Sequence, residues 1–157
     1  DPDGTVTAAS SSSIADGAAA LVLMSQDAAQ QLGAPILAHI IDYCSHAQAP
    51  EWFTTAPAGA IRRVLQRVRW HAGEVDLYEI NEAFAVVTMA SMHDLALEHA
   101  RVNVNGGACA LGHPIGASGA RITTTLLHAL RQRGGGRGVA SLCIGGGEAT
   151  AMAIEVP

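Results

Sequence analysis

The stretch Asn105–Arg121, which reads NGGACALGHPIGASGAR, sets the organisation of the whole chain. It is rich in glycine around a single histidine, His113, and Pro114 follows that histidine directly. Glycine lets a backbone approach a ligand closely, whereas proline fixes φ and removes one hydrogen-bond donor. A helical pattern begins near Ser118, so we predict a tight loop that presents one imidazole. A functional histidine on a rigidly held loop explains this layout better than a surface loop with an incidental histidine.

The rest of the chain alternates apolar runs with helical patterns. Strands are predicted at 18–24, 35–43, 75–80, 102–105, 138–144 and 149–156, and helices at 26–32, 58–70, 81–98 and 116–133. The last two strands are joined by Gly145–Gly147, which indicates an antiparallel hairpin. The pattern predicts an α/β fold: a mixed five-stranded sheet, covered by helices on both faces and ending in that hairpin.

The composition excludes several classes of function. All nine basic residues are arginine and the net charge is −5, which argues against a nucleic-acid surface and against lysine-dependent phosphate loops or Schiff bases. Cys44, Cys109 and Cys143 are widely spaced and form no CxxC pair. This spacing indicates reduced thiols in a cytoplasmic protein, with no metal site. No uncharged apolar run has the roughly 18 residues of a membrane helix, and the first residues do not resemble a signal peptide.

Three chemically versatile residues stand at or near the ends of predicted structural segments: Asn81, His113 and Cys143. Ligands of open α/β sheets bind beyond the carboxyl ends of strands, so we expect these residues to converge. A thiol that exchanges protons, an imidazole, an amide and the glycine N–H groups of 145–147 together suit acyl transfer. Two simpler explanations stay open, since Asn81 would serve as a helix cap and Cys143 as an inert core thiol.

The order and spacing of five motifs resemble the C-terminal part of a thiolase. In chain order the motifs are GTVTA with DGAA (4–8 and 16–19), NEAF (81–84), NVNGGA (103–108), GHPIG (112–116) and CIGGG (143–147). The resemblance runs from about Asp3 to the end, and the agreement of all five makes it specific. It implies a region 1–17 that ends the preceding part of the enzyme and contacts coenzyme A (CoA), followed by the C-terminal thiolase domain at 18–157.

The resemblance also implies a role for each candidate residue. Cys143 matches the second thiolase cysteine, a general acid/base, and His113 matches the histidine that activates the nucleophile and donates to the thioester oxygen. Asn81 matches the residue that fixes a water in the same oxyanion hole, and the N–H of Gly145 would donate in a second hole. Ser12 matches the serine that contacts the pantetheine arm of CoA. The substrate would be a CoA thioester, with no separate cofactor.

Two departures from the family pattern shape the expectation. The nucleophilic cysteine of thiolases lies in their N-terminal half, and neither Cys44 nor Cys109 occupies its motif. We therefore expect this chain to be inactive alone and to need an N-terminal thiolase half as partner, in a dimer or tetramer active in fatty acid metabolism. The second departure is the serine run in Ala9–Ser13, where the family usually has Gly-Asn-Ala-Ser-Gly, which restricts the CoA-contacting loop.

Two other functions compete with the thiolase interpretation. A ketoacyl synthase or related condensing enzyme is disfavoured because those enzymes usually carry histidine where this chain has Cys143. A catalytically inactive fragment that binds acyl-CoA or serves assembly is favoured by the changed serine run and the missing nucleophile. The presence of Asn81, His113 and Cys143 favours the enzyme.

Overall fold

The computed structural model describes residues 3–157; Asp1 and Pro2, which begin the predicted region 1–17, lie outside the described residues. Its centre is one sheet of four strands in the spatial order β1-β4-β3-β2. The strands are β1 His39–Ala47, β2 Leu77–Ile80, β3 Gly136–Ile144 and β4 Glu148–Val156. β4 pairs antiparallel with both β1 and β3, whereas β2 and β3 run parallel, so the sheet is mixed as predicted.

The sheet has four strands and not the predicted five. The predicted strand at 102–105 is absent from it, and Asn103 explains why. Val102 makes only an isolated bridge with Tyr78. Asn103 then takes a positive φ of 47°, which turns the chain out of the extended conformation. Its side chain replaces the missing strand: Asn103 Oδ1 accepts from the Ile80 N–H and Nδ2 donates to the Ile80 carbonyl, both at 2.8 Å. One amide side chain thus completes the edge of β2.

The apolar run 18–24 forms no strand either. Val22 is 84% exposed and Leu23 71% exposed, so the prediction of a strand buried on both faces is wrong. A strand needs a backbone partner as well as apolar side chains. This segment pairs with neither edge of the sheet within residues 3–157.

Five α-helices surround the sheet in the described part of the chain. They are α1 Gln26–Leu32, α2 Ala56–Val68, α3 Ala85–Leu95, α4 Ala108–Leu111 and α5 Ser118–Gln132. α1 has the bounds that its sequence predicts, because Ser25 caps its N-terminus and Gly33 ends it at a φ of 62°. None of the helices in residues 3–157 has the length and apolar character needed to cross a membrane.

The two faces of the sheet carry separate hydrophobic cores. α2 packs on one face, where its apolar stripe joins Tyr78 and Ile80 of β2. α5 packs on the opposite face, where Leu126 and Leu130 meet Leu77. Successive residues of a strand point to opposite faces, so all four residues of β2 are buried. This two-sided burial holds the carboxyl end of β2 in a rigid position.

Candidate active site

The carboxyl ends of the parallel strands β2 and β3 bring two of the predicted residues to one edge of the sheet. Asn81 follows β2 directly, and its backbone N–H donates to the Ser141 carbonyl of β3 at 2.9 Å. Cys143 lies two residues further along β3. Asn81 is only 1% exposed and stands four residues before α3, whose N-cap is Phe84. Asn81 is therefore not the cap of this helix, and its amide is available to the site.

His113 is held from both sides in the loop between α4 and α5. Its backbone N–H donates to the Ser13 carbonyl at 2.8 Å. On the ring, Nε2 lies 3.4 Å from Asn81 Nδ2, and Nδ1 lies 2.6 Å from Ser118 Oγ. The structure thus brings Asn81 and His113 into contact across 32 residues of sequence.

The surroundings of His113 favour its neutral form. Burial of the ring lowers the pKa of His113 below its usual 6.5, and the nearby Arg121 guanidinium lowers this pKa further. Both effects disfavour a second positive charge. A neutral imidazole has one nitrogen with a lone pair, which is able to accept a proton from a thiol.

Cys143 lies at the same end of the sheet as Asn81. No hydrogen bond within residues 3–157 joins its thiol to Asn81 or His113. Burial raises the pKa of the Cys143 thiol above its usual value, so the thiol is protonated near neutral pH. A protonated thiol that is partly shielded from water is suited to donate a proton to a reacting carbon or sulfur.

The turn Gly145–Gly147 connects β3 to β4 beside Cys143. Gly146 and Gly147 have φ values of 106° and 93°, a conformation that side chains other than glycine rarely adopt. Gly145 is exposed, and no heavy atom would lie within 4 Å of a Cβ placed on it. The space next to Gly145 is therefore open to a ligand.

Ser12 anchors the serine run to the loop that follows Asn81. Its Oγ donates to the Ala83 carbonyl at 2.9 Å, and its backbone N–H donates to the same oxygen at 3.1 Å. With Ser13 bonded to His113, the run connects the Asn81 and His113 loops. The hydroxyl proton of Ser12 is thus engaged, while its oxygen keeps lone pairs for a ligand. The predicted contact of Ser12 with pantetheine stays a prediction.

An open cleft of about 450 Å³ adjoins the His113 loop. It is lined by 15–19 on one side and by 114–117 with Ala120 on the other. Gly17 allows the close approach of these walls, since a Cβ there would lie 2.8 Å from Pro114 Cγ. The cleft is large enough for part of a drug-sized ligand.

Three residues of the site were missed by sequence reasoning: Glu79, Ser118 and Arg121. Arg121 Nη2 donates to Asn81 Oδ1 at 3.4 Å, and its Nη1 lies 3.8 Å from Glu79 Oε2. A carboxylate in the middle of an apolar strand was a usable signal for Glu79. The roles of Ser118 and Arg121 depend on how α5 packs, which periodicity does not reveal.

Glu82 accepts from Asn103 Nδ2 at 2.9 Å and from the Cys109 N–H at 3.1 Å, so its carboxylate holds neighbouring loops together. In the part of the chain that the structure describes, no group of three His, Cys, Asp or Glu side chains is placed to hold a metal ion.

Comparison with known families agrees with this geometry. The model of the thiolase C-terminal domain matches residues 34–156, and the model of the thiolase N-terminal domain matches residues 1–27. The chain belongs to the thiolase family. The predicted resemblance is thereby confirmed, whereas the predicted boundary between 17 and 18 stays a prediction.

Individual relatives of this thiolase chain include enzymes and solved structures. Acetyl-CoA acetyltransferase 1 of Arabidopsis thaliana is 54% identical over 152 residues, which are 97% of this chain and 37% of that protein. The crystal structure of the Bacillus anthracis acetyl-CoA acetyltransferase is 47% identical with a TM-score of 0.96, covering 99% of this chain and 39% of that one. Human mitochondrial 3-ketoacyl-CoA thiolase, solved in complex with CoA, is 40% identical with a TM-score of 0.91, covering 99% and 39%. The chain therefore spans about two fifths of the length of these relatives, and the predicted α/β thiolase fold is confirmed.

Proposed function

We propose that the protein is an acyltransferase that condenses CoA thioesters or cleaves 3-ketoacyl-CoA by thiolysis, as an acetyl-CoA acetyltransferase does. The observation that carries the proposal is the contact between Asn81 and His113 beside the strand end that bears Cys143. An imidazole, an amide and a proton-donating thiol meet three needs of acyl transfer: a base, an oxyanion site and an acid. The names of the matched relatives support CoA thioesters as the substrate class.

In thiolysis the residues would act in two steps. His113 Nε2 takes the proton of a nucleophilic thiol, whose sulfur attacks the keto carbon of a 3-ketoacyl-CoA. The C–C bond breaks, the acyl group stays on the enzyme, and the Cys143 thiol protonates the α-carbon of the departing acetyl-CoA. The Cys143 thiolate then takes the proton of free CoA, whose sulfur attacks the acyl-enzyme and releases the shortened acyl-CoA. The nucleophilic sulfur leaves as a thiolate and takes its proton back from His113 Nε2. Condensation is the reverse sequence.

Two oxyanions develop along this route, and the site offers donors for both. Once His113 Nε2 holds the proton taken from the nucleophile, it can donate, and it lies 3.4 Å from Asn81 Nδ2. We therefore assign His113 Nε2–H and a water held by Asn81 to the oxygen of the thioester that becomes the enolate. We assign the N–H of Gly145 to the tetrahedral oxyanion on the acylated cysteine, because the space beside Gly145 is open. The cleft along 114–117 and Ser12 would receive the pantetheine arm of CoA.

None of the three cysteines of this chain is suited to be the nucleophile. Burial raises the pKa of the thiols of Cys44, Cys109 and Cys143, so all three are weakly reactive at neutral pH. Cys44 Sγ also donates to the Ala60 carbonyl at 3.4 Å. We therefore propose that the nucleophile comes from a thiolase N-terminal half, and that residues 1–157 alone do not turn over substrate.

The remaining partners are proposed from the family. Two copies or four of the complete enzyme would associate, and the reaction would serve fatty acid metabolism in the cytoplasm. Sedimentation of the protein from its source distinguishes a monomer from these assemblies, and cell fractionation tests the compartment.

The test is an acetoacetyl-CoA thiolysis assay on the protein as its source organism makes it. We expect turnover in the wild type, and a loss of about a hundredfold or more in kcat for Cys143→Ala and for His113→Ala. Cys44→Ala and His128→Ala are the matched controls, since Cys44 lies on β1 and His128 is exposed on α5. If the folded wild type binds CoA but does not turn over acetoacetyl-CoA, the enzyme proposal is wrong and the protein is an acyl-CoA-binding protein.

A further inference from the structure

Glu79 places a carboxylate at a buried position of β2 where an apolar residue is usual. Glu79 lies in the buried strand β2 and is 2% exposed. It shares a strand face with Leu77, which packs in the core beneath α5. Burial raises the pKa of Glu79 from 4.5 to about 7, although the Arg121 guanidinium opposes this rise.

The partner of this carboxylate is Arg121, in the first turn of α5. The side chain of Arg121 is 18% exposed, and its Nη1 lies 3.8 Å from Glu79 Oε2. Four buried atoms of the pair, namely Glu79 Oε1, Glu79 Oε2, Arg121 Nε and Arg121 Nη1, have no hydrogen-bond partner within residues 3–157. A buried ion pair with so few hydrogen bonds stabilises a fold no better than well-packed apolar residues. Stability alone therefore does not account for this pair.

Arg121 also contacts Asn81, and this contact fixes the orientation of the Asn81 amide. A guanidinium only donates hydrogen bonds, so its Nη2 requires the oxygen of the Asn81 amide, Oδ1, on its side. The Nδ2 group of Asn81 must then face His113 Nε2. Because Nδ2 also only donates, Nε2 has to accept, and the ring proton of neutral His113 resides on Nδ1.

The other side of the imidazole agrees with this direction. Ser118 Oγ donates to the Pro114 carbonyl at 3.1 Å, so its hydroxyl proton is already used. The same oxygen is free to accept from His113 Nδ1–H at 2.6 Å. Every hydrogen bond from Arg121 to Ser118 thus runs in the same direction, and His113 Nε2, which accepts from Asn81 Nδ2, is the basic nitrogen of the ring.

We propose that Arg121, held in place by Glu79, is the positioning residue that orients the Asn81 amide and keeps His113 in the tautomer that serves as a base. This inference rests on the proposed function for its catalytic consequence, but the tautomer of His113 can be measured without any turnover. Neither Glu79 nor Arg121 touches the reacting atoms, so both act through Asn81 and His113.

The experiment compares Arg121→Met and Arg121→Lys in the protein as its source makes it. Imidazole nitrogen NMR shifts of His113, assigned with His113→Ala, report the tautomer. We expect a single Nδ1–H tautomer in the wild type, mixed tautomers in Arg121→Met, and partial recovery in Arg121→Lys, which keeps a donating cation. In the thiolysis assay, kcat of Arg121→Met should fall about tenfold or more while KM changes less than about twofold.

The control is Arg131→Met, which removes an exposed arginine from the last turn of the same helix and should leave the shifts and kcat unchanged. Unchanged His113 shifts in Arg121→Met would overturn the inference, whatever the activity. Absence of turnover in the wild type would defeat the proposed function while the NMR result still decides the role of Arg121. If Arg121→Met does not fold, Glu79→Gln takes its place: mixed tautomers support the inference and a single tautomer overturns it.

Discussion

At the scale of single residues, the Asn103 side chain makes the hydrogen bonds to β2 that a neighbouring strand would otherwise make. Its side chain satisfies both the N–H and the carbonyl of Ile80, and also donates to Glu82 Oε1 at 2.9 Å. Asn103→Ala leaves the Ile80 N–H unpaired, whereas the Ile80 carbonyl keeps its bond from the Thr88 hydroxyl at 3.2 Å. The variant also places alanine, which has no side-chain hydrogen bond to offset the strain, at a positive φ. We expect the free energy of unfolding to fall by about 2–4 kcal/mol, measured by denaturant titration.

A second variant separates the two causes at this position. Asn103→Gly loses the same hydrogen bonds but tolerates the φ of 47°. It should therefore be about 1 kcal/mol more stable than Asn103→Ala. Equal stability of the two variants would show that backbone conformation contributes nothing here.

Glu79 makes the stability of the protein depend on pH. The pKa of Glu79 is about 7 in the folded protein, whereas the usual value of a glutamate, 4.5, applies to the unfolded chain. The folded state therefore holds the proton more tightly than the unfolded state. Stability from this group is fully present below pH 4.5, falls as pH rises through the window up to about 7, and is constant above it. The shift corresponds to a loss on the order of 3 kcal/mol across that window.

Glu79→Gln isolates this contribution, because glutamine keeps the shape and does not titrate. We expect the free energy of unfolding of the wild type, relative to Glu79→Gln, to decline between about pH 5 and pH 7 in denaturant titrations. A constant difference between the two proteins over this range would mean that Glu79 is ionised throughout, with Arg121 as a stronger partner than its 3.8 Å separation indicates.

The sequence showed the residues with obvious chemistry and hid those that support them. His113, Asn81 and Cys143 could be found because each stands in a glycine-rich loop or near the end of a strand. Arg121 was not found, because its contact with Asn81 spans 40 residues and requires α5 to lie across β2 in one particular register. Such contacts are set by packing between elements and leave no periodic signal in the chain.

At the scale of elements, helix α5 and strand β3 meet at a glycine. A Cβ on Gly138 would lie 2.7 Å from Leu130 Cδ1 and 2.9 Å from Leu126 Cδ1, both on side chains that are fully buried. Gly138→Ala overfills this interface, so we expect the free energy of unfolding to fall by about 1–3 kcal/mol. Thermal and denaturant unfolding of the variant measure the loss.

The control for this prediction is Gly73→Ala, an exposed position where an added Cβ meets no heavy atom within 4 Å. That variant should unfold within about 0.5 kcal/mol of the wild type. A small loss in Gly138→Ala, similar to the control, would show that α5 moves away from β3 at little cost.

Elements with a local cause were predicted well. α1, α2 and α5 follow from apolar periodicity and terminal signals, and the β3–β4 hairpin follows from its glycines. The strands at 18–24 and 102–105 were predicted from apolar composition, which does not say whether a backbone partner exists. α3 is shorter than predicted at both ends, because Phe84 is its N-cap and Ala96 ends it at a φ of 52°.

At the scale of the whole molecule, large apolar side chains remain exposed around the sheet. They include Val22, Leu23, Leu32 and Tyr43, each more than two thirds exposed. On α5, three threonine hydroxyls donate to carbonyls one turn back, namely those of Thr123, Thr124 and Thr125. Their hydroxyl protons are therefore already hydrogen-bonded when this part of the helix is covered by protein. These surfaces suit burial against further protein, in line with the proposed N-terminal half.

This exposure predicts the behaviour of residues 1–157 when they are produced alone. Exposed apolar patches larger than about a few hundred Å² are rare on monomeric proteins. We therefore expect the isolated chain to bind a hydrophobic dye and to sediment as species larger than a monomer. Val22→Ser with Leu23→Ser should reduce both effects, because these side chains are 84% and 71% exposed. Met89→Ser on α3 is the control, since it removes a single exposed side chain and should change little. A monomer that binds no dye and unfolds cooperatively would show instead that these residues form an autonomous domain. Its exposed apolar side chains would then be isolated on the surface and would not form an interface with a second protein.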